Sequence, residues 1–182
     1  MNFKLFSGED KIKYRNDILK MLVVSDKEFV PPLSARTSTS QTNFKGGACQ
    51  ENGCASYCDD MLEGQILGAF SDGELLGFVA FRENVERTYI TKESFPNVYV
   101  STLIVKPSAR GRGLTSEMYL YLFFELFPES NIFTRTWSTN IAHLKILSRF
   151  GFETFKTVDN DRGQGIDTVY FKLSAKATAG AC

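Results

Sequence analysis

Eight consecutive residues, Ser108-Ala109-Arg110-Gly111-Arg112-Gly113-Leu114-Thr115, combine the features that anion recognition requires. Two arginines supply charge-assisted donors. Two glycines lack a Cβ and let a ligand approach the main chain closely. The segment also leads into a helical pattern from Leu114 onward. The first N–H groups of a helix have no internal partner, and the helix dipole adds positive potential there. A diphosphate is the ligand this combination suits best. The spacing is neither GxxxxGK[ST] nor GxGxxG, so it is not one of the two common nucleotide loops. Taken alone, the segment reads equally well as an exposed loop with ordinary glycines and arginines.

Other reactive side chains are sparse. Cys49, Cys54 and Cys58 lie close together, with Cys182 at the far end. Their spacing does not fit paired CxxC ligands, and the chain's one histidine, His143, is remote in sequence. Free thiols in a reducing compartment are the expectation, and no metal. Asp159, Asp161 and Asp167 fall in one polar loop, where they could attract a cationic amine or simply be solvated. Arg135 and Trp137, on a strand-like run, could face a second substrate; packing and surface charge explain them as well.

The elements that would position these residues follow from periodicity. Tyr14, Ile18, Met21 and Leu22 mark one face of a helix over Lys11–Leu22. Pro31 and Pro32 end helical structure there. Ser34–Asn52 is rich in Ser, Thr, Asn and Gly and reads as a loop, long enough to be functional. A second helix is expected over Ala55–Leu62. Gln65–Phe70 and Glu74–Phe81 form a hairpin around Asp72-Gly73. Asn97–Val105 is nearly continuous in apolar and β-branched residues, as suits a central strand, and Pro107 stops it. Leu114–Phe127 is apolar almost all round, which predicts a buried helix with Glu117 and Glu125 on its wet edge. Asn131–Trp137 is the next strand. Ile141, Leu144, Leu147 and Phe150 repeat at helical spacing up to Gly151. Glu153–Val158 and Thr168–Leu173 close the chain as strands. The order predicts an α+β domain, a central mixed, mostly antiparallel sheet flanked by helices. One domain over residues 1–174 and a small-residue tail over 175–182 are expected.

This order, with its two motifs, resembles the GNAT superfamily of N-acetyltransferases. That family's first motif places Gln/Arg-x-x-Gly-x-Gly/Ala between a central strand and a long helix. Arg110 and Gly113 match, and Thr115 replaces the usual last small residue. Its second motif runs from an Asn to a Gly-Phe; Asn140, Gly151 and Phe152 fall at the matching places. The resemblance covers roughly Gln65 to Leu173.

The resemblance implies a fold in which the central strand and the next one splay apart around acyl-CoA. Arg110, Gly111, Arg112, Gly113, Leu114 and Thr115 would hold its pyrophosphate. Backbone groups of Leu103, Ile104 and Val105 would pair with the pantetheine arm, and Asn140 would hydrogen-bond it. The implied reaction is direct attack of a neutral primary amine on the thioester of acetyl-CoA, with a base or water chain taking the proton. Backbone N–H near Leu103 would stabilise the oxyanion. Many members carry a tyrosine eight positions into the second motif to protonate the leaving thiolate. Leu147 stands there in this chain, so the acid is expected elsewhere. His143, one helical turn earlier, is one candidate because an imidazole titrates near neutrality. Tyr99, on the central strand, is the other, and Ser101 would line the cleft. Each also has a plain packing explanation.

Composition narrows the function classes. The chain has 182 residues, 43% hydrophobic and 23% charged, enough for one substantial core. With 21 basic and 21 acidic side chains the net charge is zero, which argues against nucleic acid as the main partner. The N-terminus lacks an apolar signal region, and Met118–Phe127 is too short to span a bilayer, so a cytoplasmic protein with no membrane partner is expected. Homodimers are common among such folds, although no residue pattern here marks an interface. The alternative to an enzyme is a non-catalytic acyl-CoA-binding sensor or structural module, motivated by the missing tyrosine. The acceptor, small molecule or protein, is left open by the residues.

Overall fold

The computed structural model describes residues 1–44 and 53–175. Cys49, Cys182, the second half of the polar loop and the tail beyond Ala175 lie outside the described residues. Among the described residues, seven strands and four α-helices follow in the order β1 (Asn2–Leu5), α1 (Gly8–Ser25), α2 (Cys54–Glu63), β2 (Gln65–Ser71), β3 (Glu74–Glu83), β4 (Asn97–Val105), α3 (Leu114–Leu120), β5 (Asn131–Trp137), α4 (Ile141–Arg149), β6 (Glu153–Val158) and β7 (Thr168–Leu173). The strands form one mixed sheet in the order β1-β2-β3-β4-β5-β7-β6. Two compact units divide the chain, Met1–Phe81 with Ser101–Met118, and Arg82–Val100 with the described residues from Tyr119.

In the first unit, α1 starts at Gly8, six residues before the apolar stripe begins at Tyr14. Ser7 accepts from the Asp10 amide at 3.2 Å, and the Asp10 carboxylate accepts from the Ser7 amide at 3.0 Å. Two orphan donors are thereby satisfied by one reciprocal pair. Lys4 adds an ion pair to Asp10 at 2.6 Å. Ile18, Met21 and Leu22 then bury against Tyr57, Cys58 and Met61 of α2 and Ile66, Phe78 and Ile104 of the sheet. The β2–β3 turn carries positive φ at both central residues, 49° at Asp72 and 81° at Gly73, between paired Ser71 and Glu74. That is the two-residue geometry whose twist matches flanking strands.

β1 was not anticipated by the sequence pattern. Its burial does not alternate cleanly, and it exists because Asn2–Leu5 pair antiparallel with Phe70–Leu67 at the sheet edge. Gly68 permits the closure there: a Cβ on it would stand 2.5 Å from the Phe6 ring and 2.8 Å from that of Phe70.

The second unit holds β5, β7 and β6 as an antiparallel set, with β5 parallel to the first half of β4. The β4–β5 register covers Asn97–Val100 against Asn131–Thr134, while β5 continues to Trp137. The expected single helix over Leu114–Phe127 is corrected in its second half. After α3 the backbone widens to π-helical over Tyr121–Leu126, with the Phe127 amide donating to the Leu122 carbonyl at 3.0 Å. Nor is it buried all round, since Leu120 is 44% exposed. The buried face is the aromatic one: Tyr119 and Phe123 stack at 5.0 Å, and Phe150 meets both edge-on. These offset and edge contacts are the geometries aromatic quadrupoles favour. No helix among the described residues is long and apolar enough to cross a membrane.

Candidate functional site

The loop between β4 and α3 is exposed from Arg110 through Gly113, and Leu114 beyond it is buried. Leu114 therefore anchors the helix start while the four residues before it stay open. Pro107–Ala109 form a single tight turn that directs the chain out of the strand. Gly111 has φ of 74° and Gly113 of 82°, whereas Arg112 between them does not adopt positive φ. Alternation of this kind turns successive amides toward one concave side, the arrangement of main-chain anion nests. A Cβ on either glycine would meet nothing within 4 Å, so glycine is required there by backbone conformation and not by crowding. The Gly113 carbonyl accepts from the Glu117 amide, the first turn of α3.

The two arginines are not equivalent. Arg110 folds back: its Nε donates to the Val105 carbonyl at 3.0 Å and its Nη1 to Glu28 at 2.9 Å. It braces the loop against the end of β4 and a residue just past α1. Arg112 is exposed and makes no hydrogen bond or ion pair among the described residues, so its guanidinium is available to an anion. Nearby, a cavity of about 350 Å³ is lined in part by Met21, Val24 and Ser25 of α1 and by Ile104, Lys106 and Ser108. Lys106 at its edge is paired with Glu74 at 2.7 Å.

On β4 itself, Ile104 and Val105 are buried and Leu103 is half-buried. The Ser101 hydroxyl donates to the Ala80 carbonyl at 3.2 Å. Thr102 meets the Tyr57 hydroxyl at 2.7 Å, both side chains buried. Neither hydroxyl was singled out from sequence, because a 45-residue separation hides the pair.

In the second unit, Asn140 caps α4. Its side-chain oxygen accepts from the His143 amide at 3.3 Å, and its Nδ2 donates to Thr136 at 3.0 Å. Leu147 is fully buried. The His143 Nε2 lies 2.8 Å from the hydroxyl of Tyr119, with the rings nearly parallel. Burial pushes the imidazole down to about 4 and the Tyr119 phenol up. The expectation that His143 titrates near neutrality is thus corrected: desolvation disfavours the cation, and the ring is neutral at physiological pH. Tyr119, its partner, was missed in the sequence, where it read only as one more apolar position.

Tyr99 takes a different place. It is 1% exposed, packed with Ile90 and Phe133, with the Arg87 guanidinium 4.7 Å from its ring centroid. Arg135 reaches the Tyr170 hydroxyl at 3.4 Å, and Trp137 carries the guanidinium of Arg162 at 5.7 Å. The aspartate loop is largely self-satisfied. Asp161 is buried and accepts from Thr168 at 2.7 Å, and Asp167 accepts from the Asn160 amide at 2.8 Å. Of the cysteines, Cys54 and Cys58 are buried, and burial raises the Cys58 thiol to about 11, the state of an inert thiol. No group of three or more potential metal ligands stands together among the described residues.

The seven-stranded mixed sheet, with a glycine loop opening into a helix after its central strand, has the fold of the acyl-CoA N-acyltransferases, as the solved neighbours show. Comparison with known proteins agrees. The acetyltransferase (GNAT) family matches residues 39–152, more than half of the chain, and the chain belongs to that family. Among solved structures, an N-acetyltransferase from Staphylococcus aureus Mu50 is similar with a TM-score of 0.63 and 17% identity, covering 96% of this chain and 99% of that one. A putative acetyltransferase from Salmonella typhimurium, solved with its cofactor acetyl-CoA, gives 0.63 and 13% over 96% and 95%. The aminoglycoside 6'-N-acetyltransferase from Enterococcus faecium gives 0.64 and 13% over 96% and 97%. No curated protein is a significant match.

Proposed function

We propose that the chain transfers an acetyl group from acetyl-CoA directly to a primary amine, with the pyrophosphate held by residues 110–115. The observation that carries this reading is the loop's backbone: positive φ at Gly111 and Gly113 on an exposed turn that opens into α3. Main-chain amides, the helix dipole and Arg112 would act together on the diphosphate. Arg110 would act through the loop, because its guanidinium already holds Val105 and Glu28. The backbone of Leu103, Ile104 and Val105 is assigned to the pantetheine arm, as is Asn140, on the strength of the family's motif spacing. Ionised amines are not nucleophiles, so the acceptor must enter neutral or lose its proton on the way. The acceptor stays unspecified: the aminoglycoside for which the Enterococcus faecium enzyme is named does not carry over to this chain at 13% identity.

The second reading is acyl-CoA binding without transfer, and one observation favours it: the position of the usual acid is the buried, apolar Leu147. The two readings differ in amine-dependent release of CoA.

Calorimetric titration of acetyl-CoA tests the shared part. The wild type is expected to bind. Gly113→Val, which forces a β-branched residue into positive φ, is expected to lose at least tenfold in affinity. Arg112→Ala, which disturbs no internal contact, is expected to bind several-fold more weakly and to show a shallower salt dependence. No binding by the wild type would overturn both readings at once. Undiminished binding by Arg112→Ala and Gly113→Val together would place the pyrophosphate elsewhere.

A further inference from the structure

We infer that Glu28 sets how tightly the glycine loop holds a diphosphate, by withholding the charge of Arg110 from it. The inference rests on the acyl-CoA reading above and adds to it an affinity-determining residue that belongs to neither sequence motif.

The argument begins with charge. Lys106, Arg110 and Arg112 bring three cations close together in the chain. Two of them are already matched by carboxylates from remote parts of the same compact unit. Lys106 pairs with Glu74 at 2.7 Å, and Arg110 pairs with Glu28 at 2.9 Å. Arg112 has no such partner among the described residues. The loop therefore offers an anion one uncompensated guanidinium, although its sequence carries two.

The two pairs differ in place. Lys106 stands before the loop, its amide donating to the Leu76 carbonyl at 2.8 Å. Arg110 is in the loop itself, and its pair with Glu28 is half exposed, the side chains keeping 40% and 50% of their surface. The backbone presents Glu28 there. A tight turn over Asp26–Glu28 follows α1, closed by the Phe29 amide on the Asp26 carbonyl at 3.2 Å. The Asp26 carboxylate fixes that turn by accepting from the Ser34 amide at 2.7 Å and the Ser34 hydroxyl at 3.0 Å. Close packing does not hold the neighbouring walls together. Val24 and Ser25 from α1, and Pro107 and Ser108 from the turn after β4, line a cavity of about 350 Å³.

A guanidinium has five N–H donors. Arg110 spends its Nε on the Val105 carbonyl and its Nη1 on Glu28, and other donors stay open to an anion. A carboxylate beside it acts on that anion in two ways. It cancels the field of the guanidinium, and its own charge repels a phosphate. Both lower the affinity, and neither requires Glu28 to move. Bracing of the loop by the same pair has the opposite sign, and it is small for a pair this exposed. Spent CoA carries the same diphosphate as acetyl-CoA, so a loop held below its full charge also lets the product leave.

Glu28→Gln separates the two effects, because the amide oxygen still accepts from Nη1 while the charge is gone. Calorimetric titration of CoA at low salt is expected to show about three- to fivefold tighter binding than the wild type. The gain is expected to shrink as salt rises. Pantetheine, which lacks the diphosphate, is expected to show no difference between the two proteins. Glu74→Gln is the control: it changes the net charge equally but frees Lys106, outside the loop. It is expected to bind CoA within about twofold of the wild type, since more distant exposed charges are screened. Urea denaturation of both variants verifies that each is folded. Unchanged or weaker CoA binding by Glu28→Gln, beside a wild type that binds, overturns the inference alone and leaves Glu28 a brace. Equal tightening by Glu74→Gln overturns it too, because net charge would then suffice. So does an equal gain for pantetheine, which would place the effect away from the diphosphate. A wild type that binds no CoA overturns the acyl-CoA reading itself, and this inference with it.

Discussion

A neutral His143 has a thermodynamic consequence separate from any ligand. Its folded pKa, about 4, lies below the ordinary value of 6.5 that the unfolded chain restores. The unfolded state therefore binds the proton first as the pH falls. Stability from this residue is fully present above pH 6.5, is lost as the pH falls from 6.5 to 4, and is constant below that. Asp10 adds a second, lower step. Its hydrogen bonds from Lys4 and Ser7 hold the carboxyl down to about 2 against an ordinary 3.8, so its contribution is lost only as the pH falls from 3.8 toward 2. Urea denaturation across these windows is the check. The wild type is expected to lose stability between pH 6.5 and 4, while His143→Gln, whose amide oxygen can still accept from Tyr119, is expected to be flatter there and unchanged in the lower window. Equal slopes for the two proteins between 6.5 and 4 would mean that the imidazole is not desolvated. None of this was legible from residue types, since a histidine's protonation depends on what covers it. The Tyr119 contact closes over 24 residues of chain, which no local pattern encodes.

Elements were read from sequence where a local rule governs them and missed where a neighbour does. The Asp72-Gly73 turn was legible because two positive φ values need such residues. So were the ends of β4, β5, β6 and β7, each bounded by Pro, Gly or a polar loop. β1 was missed because only β2 makes it a strand. The π-helical turn after Leu120 was missed because periodicity cannot distinguish four from five residues per hydrogen bond over six positions. The start of α1 is an intermediate case: Ser7 and Asp10 stand at capping-box spacing, yet the apolar stripe begins later and drew the boundary with it. The cap is the part that carries energy. Ser7→Ala removes the acceptor for the Asp10 amide and a donor to its carboxylate, and is expected to cost about 1 kcal/mol in urea or thermal denaturation. Ser7→Asp, which keeps an acceptor there but sets a second carboxylate beside Asp10, is expected to recover only part of that loss. Wild-type stability in Ser7→Ala would show that α1 is held by its buried face alone.

At the scale of the whole molecule, zero net charge supplies no overall attraction for an anionic cosubstrate. In the proposed reading recognition is local, and the glycine loop is where the sequence concentrates both backbone freedom and charge. Its backbone geometry was legible because glycines at that spacing report a need for positive φ; the folding back of Arg110 onto Glu28 was not, because the partners are 82 residues apart. If the loop supplies most of the affinity, the diphosphate and not the acyl group should control ligand-linked stability. A ligand at a hundred times its dissociation constant stabilises the native state by about 2.7 kcal/mol. For a chain of this size that corresponds to a rise in Tm of roughly 5–10 °C. Thermal melts with acetyl-CoA, CoA and pantetheine at equal concentration separate the contributions. Acetyl-CoA and CoA are expected to raise Tm by similar amounts, and pantetheine, which lacks the diphosphate, by little. The Arg112→Ala variant should show the difference between CoA and pantetheine shrink. If pantetheine matches CoA, the arm and not the loop binds the cosubstrate, and the functional weight shifts to the β4 backbone and Asn140.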